Sequence, residues 1–192
     1  MILEGLKIGL AITGSFCTID KVVSEIRNII SEGGEVFPMV SQSVYSTDTR
    51  FGKAEDLMRE LQDITGKKII ASIVDTEPIG PGGFMDILIV APCTGNTLAK
   101  LANAITDTPV VMAFKAQLRN QKPAMIAIST NDGLSANAKN LGLLLNMKNV
   151  YFVPFGQDDP EKKCNSLVAK FDMIIPSIRE AVEGKQIQPL LM

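Results

Sequence analysis

Histidine and tryptophan are both absent from this chain of 192 residues. The missing imidazole excludes a Ser–His–Asp triad and a Cys–His pair, and it removes the commonest general base and metal ligand. Proton transfer therefore has to use a carboxylate, lysine, tyrosine, cysteine, bound water, a cofactor or a partner chain. We expect no metal site.

Charge and long apolar runs are scarce as well. The net charge is −2 without any long basic run, which argues against nucleic-acid binding. No apolar stretch approaches the ~18–20 residues that cross a bilayer, and residues 1–15 lack the features of a secretion signal. The three cysteines are an odd number and do not indicate a disulfide framework. We therefore expect a cytoplasmic protein without membrane or nucleic-acid contacts, folded as one domain over residues 1–192.

The chain instead alternates apolar runs with amphipathic stretches. Hydrophobic residues make up 46% and aromatic residues only 5%, so the core is expected to be aliphatic. Strands are predicted at 6–12, 35–40, 85–90 and 150–153, further apolar runs lie at 110–114 and 124–128, and helices are predicted at 19–32, 53–65 and 135–146. Residues 163–192 are predicted to be helical with a break near Pro176. The alternation predicts an α/β fold: a three-layer sandwich with a flavodoxin- or Rossmann-like parallel sheet and helices on both faces.

The most informative segment is a strand, turn and helix between Asp86 and Lys100. Its apolar run 87–90 suits a central parallel strand, and Pro92 is expected to help end that strand because it cannot donate to a sheet ladder. A helix is expected to begin at about Asn96. Because a helix start has unpaired N–H groups and a partial positive charge, this turn suits an anion or a polar ring edge.

Three polar turns follow apolar strands, at 13–18, 41–43 and 93–97. Ligands in open parallel sheets lie outside the carboxyl ends of the strands, so these turns are expected to converge on one site. The alternative interpretation is that these three turns are ordinary helix caps, which Ser and Thr commonly provide. No Gly-x-Gly-x-x-Gly or Walker motif occurs, which favours a mononucleotide such as FMN over a dinucleotide. The residues predicted to bind the cofactor are Gly14, Ser15, Phe16, Thr18, Ser41, Ser43, Pro92, Thr94, Asn96 and Thr97.

Other candidates have two interpretations each. The stretch 129–133 either contacts a polar substrate or caps the next helix, and Asn131 joins Asn96 as a candidate catalytic residue. Cys17 and Cys93 are either activated thiols or small buried fillers, and the filler interpretation is favoured. Cys164 is placed in a terminal helix with a structural role.

A modest basic cluster follows the apolar run 110–114 and comprises Lys115, Arg119 and Lys122. It either attracts a dicarboxylate or belongs to a solvated loop. The solvated loop is favoured, because most surface charges have no specific partner.

The string APCTGNTLAK, at 91–100, resembles the APATANTLAK-type signature of the FMN-binding flavoprotein decarboxylase family. Gly14 and Ser15 are similar to that family's phosphate turn, and Ser41 lies where its second strand ends. The similarity extends over about residues 5–185. It implies a flavodoxin-like fold, an FMN site and assembly of several copies of the chain.

Two departures from this family concern its chemistry. Its decarboxylases carry an active-site histidine just before the signature strand, where residues 77–83 of this chain have none. Their Pro-x-Met-Asn motif is replaced by something like Ser129–Thr130–Asn131. FMN-dependent decarboxylation of a cysteine-derived carboxylate is therefore the second interpretation, behind an oxidoreductase role.

Taken whole, including residues 5–18 and 183–192, the chain resembles one branch of this family. The resemblance implies that it acts with a second, A subunit to oxidise dihydrodipicolinate to dipicolinate, a pyridine dicarboxylate, during sporulation in the mother-cell cytoplasm. It also implies that NADP is bound by the A subunit and leaves open whether this chain carries FMN. A non-catalytic module that supports the A subunit is the third interpretation.

Overall fold

The computed structural model describes residues 2–192, which form a seven-stranded mixed sheet with helices on both faces. The strands are β1 (Lys7–Ile12), β2 (Glu35–Val40), β3 (Ile87–Cys93), β4 (Ala124–Thr130), β5 (Val150–Phe152), β6 (Phe155–Gly156) and β7 (Leu167–Ala169). The helices are α1 (Ile19–Ser31), α2 (Gln42–Ser46), α3 (Ala54–Thr65), α4 (Ile73–Thr76), α5 (Ile79–Gly82), α6 (Gly95–Ala102), α7 (Pro109–Arg119), α8 (Ala138–Leu145) and α9 (Ile174–Val182). Within residues 2–192, no helix combines the length and the apolar character that a membrane span requires.

The parallel part of the sheet has the strand order β2-β1-β3-β4-β5. This is the flavodoxin-like order, and it confirms the expected fold. Strand order reverses at β1, so the turns after β1 and β3 flank the point where ligands bind in such sheets. β7 pairs antiparallel with the end of β4, and β6 pairs antiparallel with β7.

The core lies in two layers, one on each face of the sheet. Alternate residues of β3 divide between them, because successive side chains of a strand point to opposite faces. Ile87 and Ile89 pack with α1, α3 and α9, whereas Leu88 and Val90 pack with α5, α6, α7 and α8. All four side chains are completely buried, as expected of a central strand covered on both sides.

Pro92 does not end its strand, contrary to the expectation. β3 continues through Pro92 to Cys93, and its pairing with β4 is irregular between Val90 and Cys93. Proline lacks only the backbone N–H donor. The Pro92 carbonyl oxygen accepts hydrogen bonds from Thr13 N at 3.3 Å and from Thr13 Oγ1 at 2.7 Å. An acceptor at a sheet irregularity therefore keeps the residue in the strand.

One open segment is assigned, and two other expectations were wrong in detail. The apolar run 110–114, for which no element was predicted, lies inside α7, which Thr108 caps and Pro109 opens. Pro176 lies in the first turn of α9, where the missing amide leaves no hydrogen bond unmade, and it does not break the helix. Cys164 lies in an exposed turn between β6 and β7 instead of a helix.

Residues 186–192 cover the edge of the sheet that β5 and β6 form. Gln186 Oε1 accepts from the backbone N of Phe152 at 2.7 Å, and Gln186 Nε2 donates to the Phe152 carbonyl at 2.8 Å. The carbonyl of Leu190 accepts from Phe155 N, and Met192 N donates to the Phe155 carbonyl, both at 3.0 Å. The Gln186 side chain and the backbone pairing of Phe155 with residues 190–192 thus satisfy backbone groups that would be unpaired at an open edge.

Replacing Gln186 with methionine is expected to destabilise the fold by about 1–3 kcal/mol, because Phe152 on β5 then loses both partners for its backbone. Chemical denaturation measures the free energy of unfolding. Gln62→Met makes the same change on the exposed face of α3 and is expected to stay within about 0.5 kcal/mol of the parent. Equal effects of the two substitutions would contradict this role for Gln186.

Candidate functional site

A cleft of about 910 Å³ opens at the carboxyl ends of β1, β3 and β4. Its volume falls in the range of about 300–1,000 Å³ that small-molecule sites occupy. The turns that follow these three strands form its floor, and residues of the loop between β6 and β7 form one wall. The topology therefore brings three separate segments of the chain to one ligand-sized space.

Three hydroxyl groups connect the turn after β1 with the end of β4. Ser15 Oγ and Ser129 Oγ lie 2.8 Å apart, and Thr18 Oγ1 lies 3.3 Å from Ser129 Oγ. Thr18 Oγ1 also donates to the Ser15 carbonyl at 2.9 Å. Hydroxyl hydrogens rotate, so this cluster is able to turn a donor toward a ligand in the cleft.

Buried Thr13 locks the turn after β1 to the turn after β3. Its Oγ1 donates to the Pro92 carbonyl and accepts from Thr94 N at 3.0 Å. Thr94 in turn caps α6, since its Oγ1 accepts from Thr97 N at 3.3 Å and contacts Thr97 Oγ1 at 3.1 Å. The amides of Gly95 and Asn96 open this helix without intrahelical acceptors, and both residues line the cleft.

Gly95 lets α6 begin directly against the end of β4. A methyl group at this position would lie 2.5 Å from Asp132 Oδ1 and 2.6 Å from both Thr130 Oγ1 and Asn137 Nδ2. The Asp132 carboxylate is itself held by two donors: Thr130 Oγ1 at 2.6 Å and Asn137 Nδ2 at 2.8 Å. A negative charge is thereby fixed beside the positive end of the α6 dipole.

A relay of asparagine side chains sets the direction of these hydrogen bonds. Asn103 Nδ2 donates to Asn140 Oδ1 at 3.2 Å, and Asn140 Nδ2 donates to Asn137 Oδ1 at 2.8 Å. Since the Asn137 oxygen is occupied, its amide nitrogen faces Asp132. Asn137 and Asn140 are both buried, so the relay belongs to the contact between α6 and α8.

Charged side chains surround the opening of the cleft. Lys163 Nζ lies 2.9 Å from Asp158 Oδ2, and this hydrogen bond lowers the pKa of the Asp158 carboxyl and raises the pKa of Lys163. Lys21 and Arg50 form no ion pair with any other residue of 2–192, and the Arg50 guanidinium lies 4.8 Å from the centre of the Phe51 ring. Two cationic side chains thus line the cleft without an ion-pair partner.

Residues 2–182 match the model of the Flavoprotein family. The chain belongs to the Flavoprotein family. It is 48% identical over 190 residues to the B subunit of dipicolinate synthase from Bacillus subtilis, across 99% of this chain and 95% of that protein.

Solved structures of related proteins agree with this assignment. The crystal structure of the dipicolinate synthase B subunit from Bacillus halodurans is 43% identical with a TM-score of 0.92, covering 100% of this flavoprotein and 98% of that chain. The FMN-dependent cysteine decarboxylase SpaF is 18% identical with a TM-score of 0.63, covering 94% and 97%. At this lower identity SpaF shares the fold alone.

The structure brings most of the predicted site residues of this flavoprotein into the cleft, though not all. Those that line it are Gly14, Ser15, Phe16, Thr18, Thr94, Asn96 and Asn131. Pro92 and Thr97 are buried in β3 and α6 instead. Ser41 caps α2 and lies 3.0 Å from Ser43 through their Oγ atoms, so both remain beside the cleft and outside its lining.

The cysteines and the basic cluster are also placed by the structure. Cys93 is completely buried, which raises the pKa of its thiol far above the usual range and agrees with the filler interpretation. Cys17 is exposed on the cleft.

The basic cluster of Lys115, Arg119 and Lys122 lies outside the cleft lining. Lys122 Nζ donates to the Met85 carbonyl at 2.8 Å.

Several cleft residues have no signal in the sequence. Arg50 and Lys163 come from loops without a pattern, and only the folded sheet brings them together. The polar stretch 129–133 indicates contacts near this edge, yet nothing in it distinguishes Asp132. The signal that could have indicated Asp132 is Gly95. It replaces an alanine of the APATANTLAK-type signature and leaves room for the Asp132 carboxylate.

Gly95→Ala is expected to destabilise this flavoprotein by about 1–3 kcal/mol, since the added methyl group must displace Thr130, Asp132 or Asn137. Gly142→Ala is the matched control: it lies in α8 with no atom within 4 Å of an added methyl group, and alanine there should stabilise by about 0.5–1 kcal/mol. Thermal unfolding measures both. A neutral Gly95→Ala would show that the contact with Asp132 is not tight.

Proposed function

We propose that this flavoprotein is the B subunit of dipicolinate synthase and that it forms dipicolinate together with an A subunit. The observation that carries the proposal is the identity of 48% to the Bacillus subtilis protein, which extends over 99% of this chain. On this proposal the protein acts in the mother-cell cytoplasm of a sporulating bacterium, where several copies of the chain assemble.

The chemistry of the cleft suits a small dianion. Lys21 and Arg50 line the cleft without an ion pair among residues 2–192, and a guanidinium is able to bind a carboxylate with two parallel hydrogen bonds. Ser15 and the exposed side chains of Asn96 and Asn131 also line the cleft and offer further donors. We assign these groups to the two carboxylates of dihydrodipicolinate.

The oxidant is assigned to the A subunit as NADP. No Gly-x-Gly-x-x-Gly motif follows β1, so this chain lacks the usual means of binding a dinucleotide pyrophosphate. The cleft is larger than one pyridine dicarboxylate needs, which leaves space for a nicotinamide ring beside the substrate. Forming an aromatic ring is strongly favourable, so the contribution of this chain is to position the substrate and to accept its proton.

The turn after β1 also fits the phosphate of FMN. A methyl group on Gly14 would lie 3.2 Å from Ser43 Oγ and 3.4 Å from Phe16 Cε2, so the bare glycine leaves a small cradle among these groups. The Ser43 hydroxyl beside it is able to donate a hydrogen bond to an anion. FMN bound there would supply a two-electron acceptor within this chain, as the alternative to the nicotinamide of the A subunit.

The activity test compares the purified A subunit with and without this chain, using dihydrodipicolinate and NADP. Dipicolinate formation is expected to rise more than about tenfold when the chain is added, a change equivalent to ~1.4 kcal/mol of barrier. Equal rates for the A subunit alone and for the mixture would contradict the proposed function.

The FMN site has a separate test that needs no turnover. After incubation with FMN and gel filtration, the protein is expected to keep absorbance near about 450 nm, where oxidised flavins absorb. Gly14→Val fills the cradle and is expected to weaken FMN binding by at least about tenfold, whereas Gly142→Ala keeps it. A colourless parent protein would exclude FMN from this cleft.

A further inference from the structure

Two carboxylates line the cleft, and their surroundings differ. Asp158 is paired with Lys163, whereas Asp132 forms no ion pair with any other residue in the described range 2–192. Asp132 is half-buried and lines the cleft together with the turn after β1. In a chain without histidine, it is the side chain of the cleft wall that is best equipped to accept a proton.

Two donors fix the position of Asp132, and each of its oxygens retains the capacity to accept a further hydrogen bond. Oδ1 accepts from Thr130 and Oδ2 accepts from Asn137, while each carboxylate oxygen is able to accept two hydrogen bonds. The close contact with Gly95 holds the carboxylate at the start of α6. A general base needs this combination of fixed placement and an open lone pair.

We propose that Asp132 accepts the proton released when dihydrodipicolinate is oxidised, an inference that rests on the proposed function. One ring C–H bond breaks with its electron pair, which leaves as hydride to the oxidised nicotinamide held by the A subunit. The adjacent ring carbon loses a proton to the Asp132 carboxylate, and the electrons of that C–H bond complete the aromatic ring. Protonated Asp132 then returns the proton to water through the open cleft.

Asp132→Asn tests this role in the complex with the A subunit. Because general bases contribute about 10²–10⁴-fold to rates, kcat is expected to fall at least about 100-fold while KM changes by less than about threefold. Asp63→Asn, the same change on the exposed face of α3, is expected to keep the parent kcat. A kcat of Asp132→Asn close to that of the parent would overturn the inference.

A double variant separates proton transfer from folding. In Asp132→Asn the side-chain oxygen is able to accept from Asn137 Nδ2 while the amide nitrogen donates to Thr130 Oγ1, so the melting temperature is expected to stay near that of the parent. Asp132→Asn combined with Asn137→Asp moves the carboxylate to a buried position outside the cleft lining. Low kcat in both variants, with the melting temperature of Asp132→Asn kept, supports the proposal; recovery of kcat in the double variant would assign Asp132 a structural role.

Chemical rescue distinguishes a proton-acceptor role of Asp132 from a structural role. In Asp132→Ala the missing carboxylate leaves space, and added formate or acetate is expected to raise kcat in proportion to its concentration. Absence of rescue would overturn the proton-acceptor role even if the rate loss were large. A parent complex that forms no dipicolinate at all would instead refute the proposed function, so the two failures are distinguishable.

Discussion

The first turn of α6 lies against the end of β4, and the rest of the site depends on that contact. Atoms of Thr130, Asp132 and Asn137 occupy the space where a methyl group on residue 95 would stand. The polar network at the end of β4 therefore requires glycine at this position. The alanine of the family signature would clash with the network. The contact holds a carboxylate inside the cleft of a flavoprotein that has no histidine.

The parallel sheet then decides how charge is distributed around the cleft. Because β1, β3 and β4 end at the same edge, the hydroxyl groups of Ser15 and Ser129 and the Asp132 carboxylate line one cleft. Donors, cations and an acceptor in the same space form an arrangement suited to a dianion that has to lose a proton. The parallel topology thereby brings the binding groups and the proposed proton acceptor together.

Local patterns predicted much of this fold, and the failures around the cleft share one cause. The run 35–40 and the helix ending before Gly66 were predictable, because apolar periodicity and a left-handed glycine cap are local properties. Pro92 stays in β3 because Thr13, far away in sequence, uses its carbonyl oxygen. Arg50 and Lys163 reach the cleft only through the folded sheet. Contacts between distant segments leave no periodic signal, so the turns were predictable while the walls of the cleft were not.

The most direct test of this account is a crystal structure of the chain in complex with its A subunit and dipicolinate. We expect the pyridine ring in the cleft, with its carboxylates toward Ser15 and Asn96 and a ring carbon facing the Asp132 carboxylate. Dipicolinate bound away from the carboxyl ends of β1, β3 and β4, or a cleft filled by the A subunit itself, would contradict it.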